Sequence, residues 1–350
     1  MLADIKRATG FSTWQLVLLA VIILVSVNYL TLVFMDRFRP EPLPMPYLLM
    51  QGPQRDGFAG KAGLAHDDGS ANSDGFENPA AEHTFLNNDQ LYDDFYASVY
   101  DLLVQSSKRN QAEVAYLMKH WKKPARILDA GCGTGVVAIA FAKEGASKVV
   151  GIDQSKAMID HALKVNMPKS TLTDEQKAAV EFRVDNLLNP NAAKSAEFDA
   201  ACIMYFTVYQ VADLDGLFRN LSVWVRPGGH LCVQVVNKHK FDPLLDAASP
   251  FVFSLQKYSK ERITKSKVNF DKFDYEANFA LEEENPNAAT FNETFRFKDG
   301  KAPRRQRHTF NMYDTPVVIK KAKTAGWFYH GFVDQTKMGF EYSYLLLFSH

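Results

Sequence analysis

A glycine-rich segment in the middle of the chain constrains the fold more than any other feature of the sequence. Residues 128–135 read LDAGCGTG, between a short apolar run that predicts a strand and a pattern that predicts a helix. Glycines at such a turn let the backbone reverse sharply and approach a ligand closely. Because nucleotide-like ligands bind at helix N-termini and at the carboxyl ends of parallel strands, the segment predicts a nucleotide-binding turn.

Short apolar runs alternate with helical patterns on both sides of this turn. The predicted strands comprise residues 126–129, 148–152, 180–184, 198–204 and 230–236. Strands that alternate with helices form a parallel sheet with right-handed crossovers, so the pattern predicts a doubly wound, mostly parallel α/β fold.

Two parts of the chain depart from this alternation. Residues 266–313 carry period-two runs, which predict antiparallel strands appended to the main sheet. A predicted helix, 316–325, precedes two further strands, 327–333 and 341–348. A terminal hairpin of this kind is compatible with the mixed sheet edges of doubly wound folds.

The N-terminal region has a different composition. From Leu16 to Met35 no residue is charged, and at about 1.5 Å per residue the run reaches roughly 30 Å, the thickness of the bilayer's hydrocarbon core. We therefore expect a retained transmembrane helix over residues 14–36. A cleaved signal peptide with Lys6 and Arg7 as its basic region is the alternative, but no small-residue cleavage site follows the long apolar run.

The charge balance and the cysteine content bear on whether the chain binds nucleic acid or metal. The chain has 40 basic (Lys, Arg) and 40 acidic residues, which gives no argument for a nucleic-acid partner, and we expect none. Cys132, Cys202 and Cys232 are odd in number and scattered, which favours reduced thiols over disulfides or a metal site. We also expect no bound metal, because no cluster of metal ligands is evident.

The glycine spacing separates two classes of nucleotide ligand. The spacing is GxGxG, whereas dinucleotide dehydrogenases carry GxGxxG, so an NAD-dependent enzyme is the disfavoured alternative. Asp129 precedes the glycines and would repel a pyrophosphate. It would attract the ammonium group of S-adenosylmethionine, which favours that ligand.

Further candidate ligand contacts follow the second and third strands. Asp153 can accept both ribose hydroxyls, although a helix N-cap, a role Ser155 could share, is the alternative. Asp185 and Asn186 can meet the adenine amino group, and Met158 can pack either on the adenine face or in the core.

The segments ILDAGCGTG, VVGIDQS, VDNL, FDAACIMYF and RPGGHL together resemble the class I (Rossmann-like) S-adenosylmethionine-dependent methyltransferases of the small-molecule type. The resemblance implies a seven-stranded sheet with a reversed terminal hairpin and S-adenosylmethionine as cofactor. It implies cofactor contacts at Asp129, Gly131, Gly133, Asp153 and Asp185. It also implies an N-terminal lid helix, on which Tyr92, Tyr96 or Tyr100 closes over the methionine end of the cofactor.

A general base is needed only if the acceptor enters protonated. His308 and Tyr209 are weak candidates for catalytic groups, since a single His on a strand is usually structural.

These expectations describe a membrane-anchored methyltransferase that acts on a small or lipid-like acceptor from the cytosolic or matrix side. The alternative is a non-catalytic cofactor-binding or scaffold module at a membrane, and the sequence gives no oligomeric state. The chain then begins with an N-terminal tail (1–13), a transmembrane helix (14–36) and a flexible linker (37–88). These precede a cofactor-binding core (89–240), a substrate-cap insertion (241–313) and a C-terminal helix and hairpin of the core (314–350).

Overall fold

The computed structural model of the chain describes residues 85–104, 107–122, 124–243, 264–338 and 340–350. The predicted transmembrane helix and the predicted linker as far as residue 84 lie outside the described residues. Within the described ranges, no helix is both long and apolar enough to cross a membrane.

Helices and strands follow one another along the chain in the predicted manner. Three helices come first: α1 (Asn88–Leu91), α2 (Asp94–Val104) and α3 (Ser107–His120). The alternating part comprises β1 (Arg126–Ala130), α4 (Val136–Lys143), β2 (Lys148–Asp153), α5 (Lys156–His161), α6 (Asp174–Ala178), β3 (Val180–Val184), β4 (Phe198–Ile203), α7 (Thr207–Gln210), α8 (Leu214–Trp224) and β5 (Val225–Val236). The rest comprises β6 (Lys265–Asn269), β7 (Phe273–Leu281), β8 (Ala288–Phe297), β9 (Arg304–Asn311), α9 (Thr315–Thr324), β10 (Phe328–Asp334) and β11 (Ser343–Ser349).

The main sheet has seven strands in the order β10-β11-β5-β4-β1-β2-β3. Strands β1 to β5 pair in parallel, and β11 pairs antiparallel with both β5 and β10. The predicted mostly parallel sheet with a reversed terminal hairpin is therefore confirmed. The order reverses between β1 and β4, and at such a switch point the carboxyl ends of the strands open a crevice for a ligand.

The appended antiparallel strands are also confirmed. Strands β6 to β9 form a separate four-stranded sheet in chain order. Its apolar side chains pack against α2, where Phe95 makes edge contacts with Phe273, Phe295 and Phe297 at ring-centroid distances of 5.1–6.4 Å. Helix α2 therefore lies against this four-stranded sheet, the insertion sheet (β6 to β9).

Burial follows from helices covering the main sheet. All six residues of β4 are buried, as expected for a central parallel strand covered on both faces. Helix α8 buries Leu217, Phe218, Leu221 and Trp224, and α3 and α4 contribute Leu117, Phe141 and other apolar residues to the core.

Strand β5 begins earlier than its apolar run predicts. It starts at Val225 rather than at residue 230, and its pairing with β4 shifts register between Phe198 and Ala200. Gly228, at φ +73°, accommodates the irregularity. A hydrophobicity pattern does not detect these added residues, because Arg226, Pro227 and Gly228 are exposed.

Candidate cofactor and acceptor site

The glycine turn, residues 131–135, lies directly after β1. Gly131, Gly133 and Gly135 have φ angles of +76°, +52° and +78°, a region that side-chain-bearing residues rarely adopt. A Cβ atom on Gly131 would lie 2.3 Å from Cγ2 of Thr207, the first residue of α7. The sequence did not reveal this close approach, because it joins segments 76 residues apart.

Asp129 is buried at the end of β1 with an incomplete set of hydrogen bonds. Its side chain is 1% exposed; one oxygen accepts from the thiol of Cys202 at 3.8 Å, and the other has no partner among the described residues. Burial raises the pKa of Asp129 to about 7. A cationic partner would offset this cost, so the residue fits the ammonium group of S-adenosylmethionine.

Asp153 joins the glycine turn to the helix that follows β2. One carboxylate oxygen accepts from the Gly133 N–H at 2.9 Å and the other from the Ser155 N–H at 2.8 Å. Ser155, not Asp153, is the N-cap of α5. Since each oxygen keeps a further lone pair, the carboxylate can still accept the two hydroxyls of a ribose. Burial raises its pKa, and the two backbone hydrogen bonds oppose the rise.

The other predicted cofactor residues lie beside Asp153. The N–H of Asp185 donates to the Asp153 carbonyl at 3.0 Å, and one oxygen of Asp185 accepts from the Asn186 N–H and from the Asn189 amide. Asn186 is exposed. Met158 is buried in the apolar cluster that includes residues of α2 and β7. Their contacts with adenine remain predictions.

Helix α2 occupies the position expected for the lid. Tyr100 faces the glycine turn, since a Cβ on Gly133 would lie 3.8 Å from its ring. Asp101, which the sequence analysis missed, accepts from the Thr134 hydroxyl at 2.5 Å and from the Asn166 amide at 2.7 Å. These bonds join the lid to the turn and to the π-helical segment Ala162–Asn166 after α5. The cofactor cleft is thus bounded by the glycine turn, Asp153 and α2.

Tyr92 and Tyr96 face the insertion sheet, and Tyr92 precedes α2 rather than lying on it as predicted. Tyr92 and Tyr96 lie 5.8 and 5.6 Å, between ring centroids, from His308 on β9. The Tyr96 hydroxyl is 3.3 Å from Nε2 of His308. Tyr100 thus lies on the side of the glycine turn and the other two lie beside His308, with the Tyr96 and Tyr100 rings in edge contact at 5.8 Å.

His308 pairs with a buried carboxylate that the sequence analysis missed. Its Nε2 lies 2.5 Å from an Oε2 atom of Glu293, which is fully buried on β8. The carboxylate also accepts from the Tyr275 hydroxyl at 2.5 Å and from the Gln306 amide at 2.7 Å. Burial opposes ionisation of Glu293, but the attraction of His308 and these hydrogen bonds lower its pKa. The sequence did contain a signal for this residue, because Glu293 is a charged residue between Phe291 and Phe295 on the otherwise apolar face of a period-two run.

Tyr209 has a different environment. It is fully buried on α7, and its hydroxyl accepts from the Val236 N–H at 2.8 Å and donates to the Val236 carbonyl at 3.4 Å. The hydroxyl therefore connects α7 to β5, and we assign it no catalytic step.

A second buried polar cluster lies between α3 and the C-terminal hairpin. Glu113 accepts from the side-chain amides of Gln234 and Gln335, and Ser343 donates to Gln335 at 2.6 Å. Burial raises the pKa of Glu113 to about 7, although Arg109 opposes the rise. Among the described residues, no group of three or more His, Cys, Asp or Glu side chains is placed to hold a metal ion.

Comparisons with known proteins agree with this architecture. A family model described as a methyltransferase domain matches residues 103–294, more than half of the chain. The mitochondrial ubiquinone biosynthesis O-methyltransferase of Dictyostelium discoideum is 28% identical over 116 residues, 32% of this chain and 35% of that protein. The chain spans about a third to a half of the length of the curated relatives it matches.

Two solved structures share the fold. An S-adenosylmethionine-dependent methyltransferase from Clostridium acetobutylicum superposes with a TM-score of 0.54 at 15% identity, covering 73% of this chain and 97% of that one. The SAM-bound amino pentose methyltransferase CalS10 from Micromonospora echinaspora gives 0.51 at 16% identity, with coverage of 73% and 97%.

Proposed function

We propose that this chain, which belongs to the methyltransferase-domain family of class I S-adenosylmethionine-dependent methyltransferases, methylates a small, lipid-like acceptor while anchored to a membrane. The observation that carries the proposal is the cofactor cleft: a glycine turn with the buried Asp129 and the half-buried Asp153 beside it and a tyrosine-bearing helix over it. S-adenosylmethionine supplies an activated methyl group on a sulfonium, which leaves as a neutral sulfide.

The residues of the cleft bind and orient the two reactants. Asp153 would hold the ribose, and Asp129 would neutralise the ammonium group of the methionine portion. Tyr100 would cover that portion from the lid and exclude water. Methyl transfer is an in-line displacement, so most of the acceleration would come from fixing donor and acceptor in contact and in line.

The side chains between the lid and the insertion sheet favour an apolar acceptor. Phe310 stacks on His308 at 5.8 Å and contacts Phe206 at 5.3 Å, and Phe291 and Tyr92 lie beside the same histidine. Aromatic surroundings of this kind favour a ring or an acyl chain over a charged metabolite. The relative from Dictyostelium is named for ubiquinone biosynthesis, which agrees with a lipid-like acceptor.

The uncharged segment from Leu16 to Met35 supports the membrane anchor. We place the catalytic domain on the cytosolic or matrix side, where S-adenosylmethionine is supplied. The chain should resist alkaline carbonate extraction, and a variant lacking residues 1–36 should be extracted. Protease added to intact vesicles should digest the catalytic domain. Its protection inside the lumen of a secretory compartment would contradict the assigned side.

Cofactor specificity is tested by calorimetric titration of the detergent-solubilised full chain with S-adenosylmethionine and, separately, with NAD. We expect binding of S-adenosylmethionine only, and its loss in Asp153→Ala and Gly131→Val. Asp94→Asn is the control, because Asp94 is an exposed carboxylate on the lid helix α2. Preference for NAD would refute the proposal. Cofactor binding without methyl transfer to any phenol, amine or thiol carrying an alkyl chain would favour the non-catalytic module.

A further inference from the structure

We propose that His308, held by the buried carboxylate of Glu293, is the general base of this enzyme, and that the acceptor atom is therefore a hydroxyl oxygen. The inference rests on the proposed function and extends it to the class of acceptor. In this assignment His308 is a catalytic residue, whereas Glu293 is a positioning residue that acts through it.

The pair is built around one nitrogen of the imidazole. Among the described residues, the hydrogen-bond partners of His308 are Glu293 and Tyr96, and both contact Nε2. Its Nδ1 atom is thus left to interact with a ligand. A carboxylate that holds one ring nitrogen fixes the tautomer and stabilises the imidazolium that forms when the other nitrogen takes a proton.

A continuous series of contacts connects the pair to the cofactor cleft. Thr207 touches the glycine turn, with its hydroxyl 3.4 Å from the Gly131 carbonyl. The adjacent residue, Phe206, contacts Phe310, whose ring stacks on His308. An acceptor bound along the edges of these rings would lie between the cofactor cleft and His308.

A purely structural role does not account for the choice of residues. Glu293 is fully buried and His308 is 4% exposed, and burying a carboxylate costs free energy that an apolar residue of the same volume would not cost. The same-face neighbours of Glu293 on β8 are Phe291 and Phe295, and Phe310 follows His308 on the same face of β9, so apolar residues would fit these positions. Titratable clusters retained at such a cost are typical of functional sites.

The base indicates a hydroxyl acceptor because of the proton balance. The acceptor oxygen forms a bond to the methyl carbon while the carbon–sulfur bond of the cofactor breaks and its electron pair stays on sulfur. The hydroxyl proton passes to Nδ1 of His308 and then to solvent. An aromatic amine is unprotonated at neutral pH and attacks without first losing a proton, and a thiol ionises more readily than a phenol or an alcohol, so neither needs such a base in the transfer step.

The test measures methyl transfer by the detergent-solubilised full chain to dodecyl-substituted phenol, nitrophenol, aniline and thiophenol. We expect transfer to the phenol, and a loss of at least about 100-fold in kcat with little change in KM for His308→Asn. The loss should be under about 10-fold for the nitrophenol, because about half of its hydroxyl groups are already ionised at neutral pH. The matched control is His330→Asn, since His330 lies on β10 and contacts Ser349.

Glu293→Gln tests the positioning role. We expect kcat for the phenol to fall by about 10-fold or more with little change in KM, because the amide no longer offsets the charge of the imidazolium that forms in the transfer step. The other titratable groups facing His308 are Tyr92 and Tyr96 from the lid; Tyr275 from β7 faces Glu293. All three remain in the variant.

Calorimetry with S-adenosylmethionine separates this proposal from the proposed function. Wild type and both variants should bind the cofactor with equal affinity, which also shows that they are folded. Three results would overturn the base assignment while cofactor binding persists: transfer to the aniline or thiophenol alone, transfer to no phenol, or phenol transfer unchanged in His308→Asn. Loss of cofactor binding by the wild-type chain would instead refute the proposed function.

Discussion

The clearest quantitative prediction concerns Asp129 and the pH dependence of cofactor affinity. Without ligand, burial raises the pKa of this carboxyl to about 7, so at pH 5 it is almost entirely protonated. If the ammonium group of S-adenosylmethionine binds the ionised carboxylate, binding must expel that proton. The affinity should therefore rise with pH up to about 7 and then level off.

The size of the effect follows from the raised pKa. Two pH units below a pKa of about 7, ionising the carboxyl costs about 2.7 kcal/mol. At pH 7 half of the molecules are already ionised, so the dissociation constant should be about 50-fold larger at pH 5 than at pH 7. At pH 6 the binding of one cofactor should release about 0.9 proton.

Calorimetry in buffers of different ionisation enthalpy measures both the affinity and the released proton. Asp129→Asn should abolish the pH slope and bind at pH 7 with an affinity at least about 10-fold below that of the wild type. Glu113→Gln is the matched control, because Glu113 has a similarly raised pKa but lies in the separate polar cluster beside the C-terminal hairpin. A flat profile in the wild type, or a slope that survives in Asp129→Asn, would show that Asp129 only supports the turn into α4.

Three further predictions follow from contacts described above. Asp101→Asn removes an acceptor for Thr134 and Asn166, so stopped-flow measurements should show about 10-fold faster cofactor dissociation. The control Asp94→Asn should dissociate at the wild-type rate. Equal rates in both variants would show that the bonds of Asp101 do not retain the cofactor. Gly131→Ala should lower the melting temperature through the 2.3 Å clash with Thr207. The double variant Gly131→Ala/Thr207→Ala should recover part of the loss. No recovery would show that the loss comes from the positive φ angle of residue 131 and not from the clash. Because the folded pKa of Glu113 is raised to about 7, its contribution to stability is present below about pH 4.5 and lost as pH rises through 7. The wild type should thus lose about 2.5 kcal/mol more than Glu113→Gln between pH 5 and pH 8. This would be seen as a shift in melting temperature of about 5 °C; parallel profiles would contradict the raised pKa.

The main sheet and its carboxyl-end acids could be predicted because they depend on local signals. A parallel strand buried on both faces is a continuous apolar run, and the turn after β1 needs positive φ angles that glycine adopts readily. Once the strands are in the order of this fold, the residues that end β1 and β2 must lie at one edge of the sheet. Asp129 and Asp153 were therefore identifiable from their positions in the chain.

The pair formed by Glu293 and His308 depends instead on register. The two residues are 15 positions apart, and they meet because Phe291 pairs with His308 and Glu293 pairs with Gln306 across β8 and β9. A shift by one residue would turn either side chain to the opposite face. Hairpin register is set by the turn that joins the strands, and the observed pairing is centred on Asp299-Gly300, a dipeptide typical of tight hairpin turns. The prediction used only the period-two pattern and not this turn. Period-two patterning therefore predicted the strands and not the pair.

Helix α2 connects the two halves of the site. At one end Asp93 binds Arg304 of β9 at 2.6 Å, and at the other Asp101 binds Thr134 of the glycine turn. Between them Tyr96 contacts His308. Any movement of the helix that admits the cofactor must break the bonds of Asp101 and also disturb the surroundings of His308. We therefore expect the base to reach its working position only when the lid is closed over the cofactor, which would couple acceptor activation to cofactor binding.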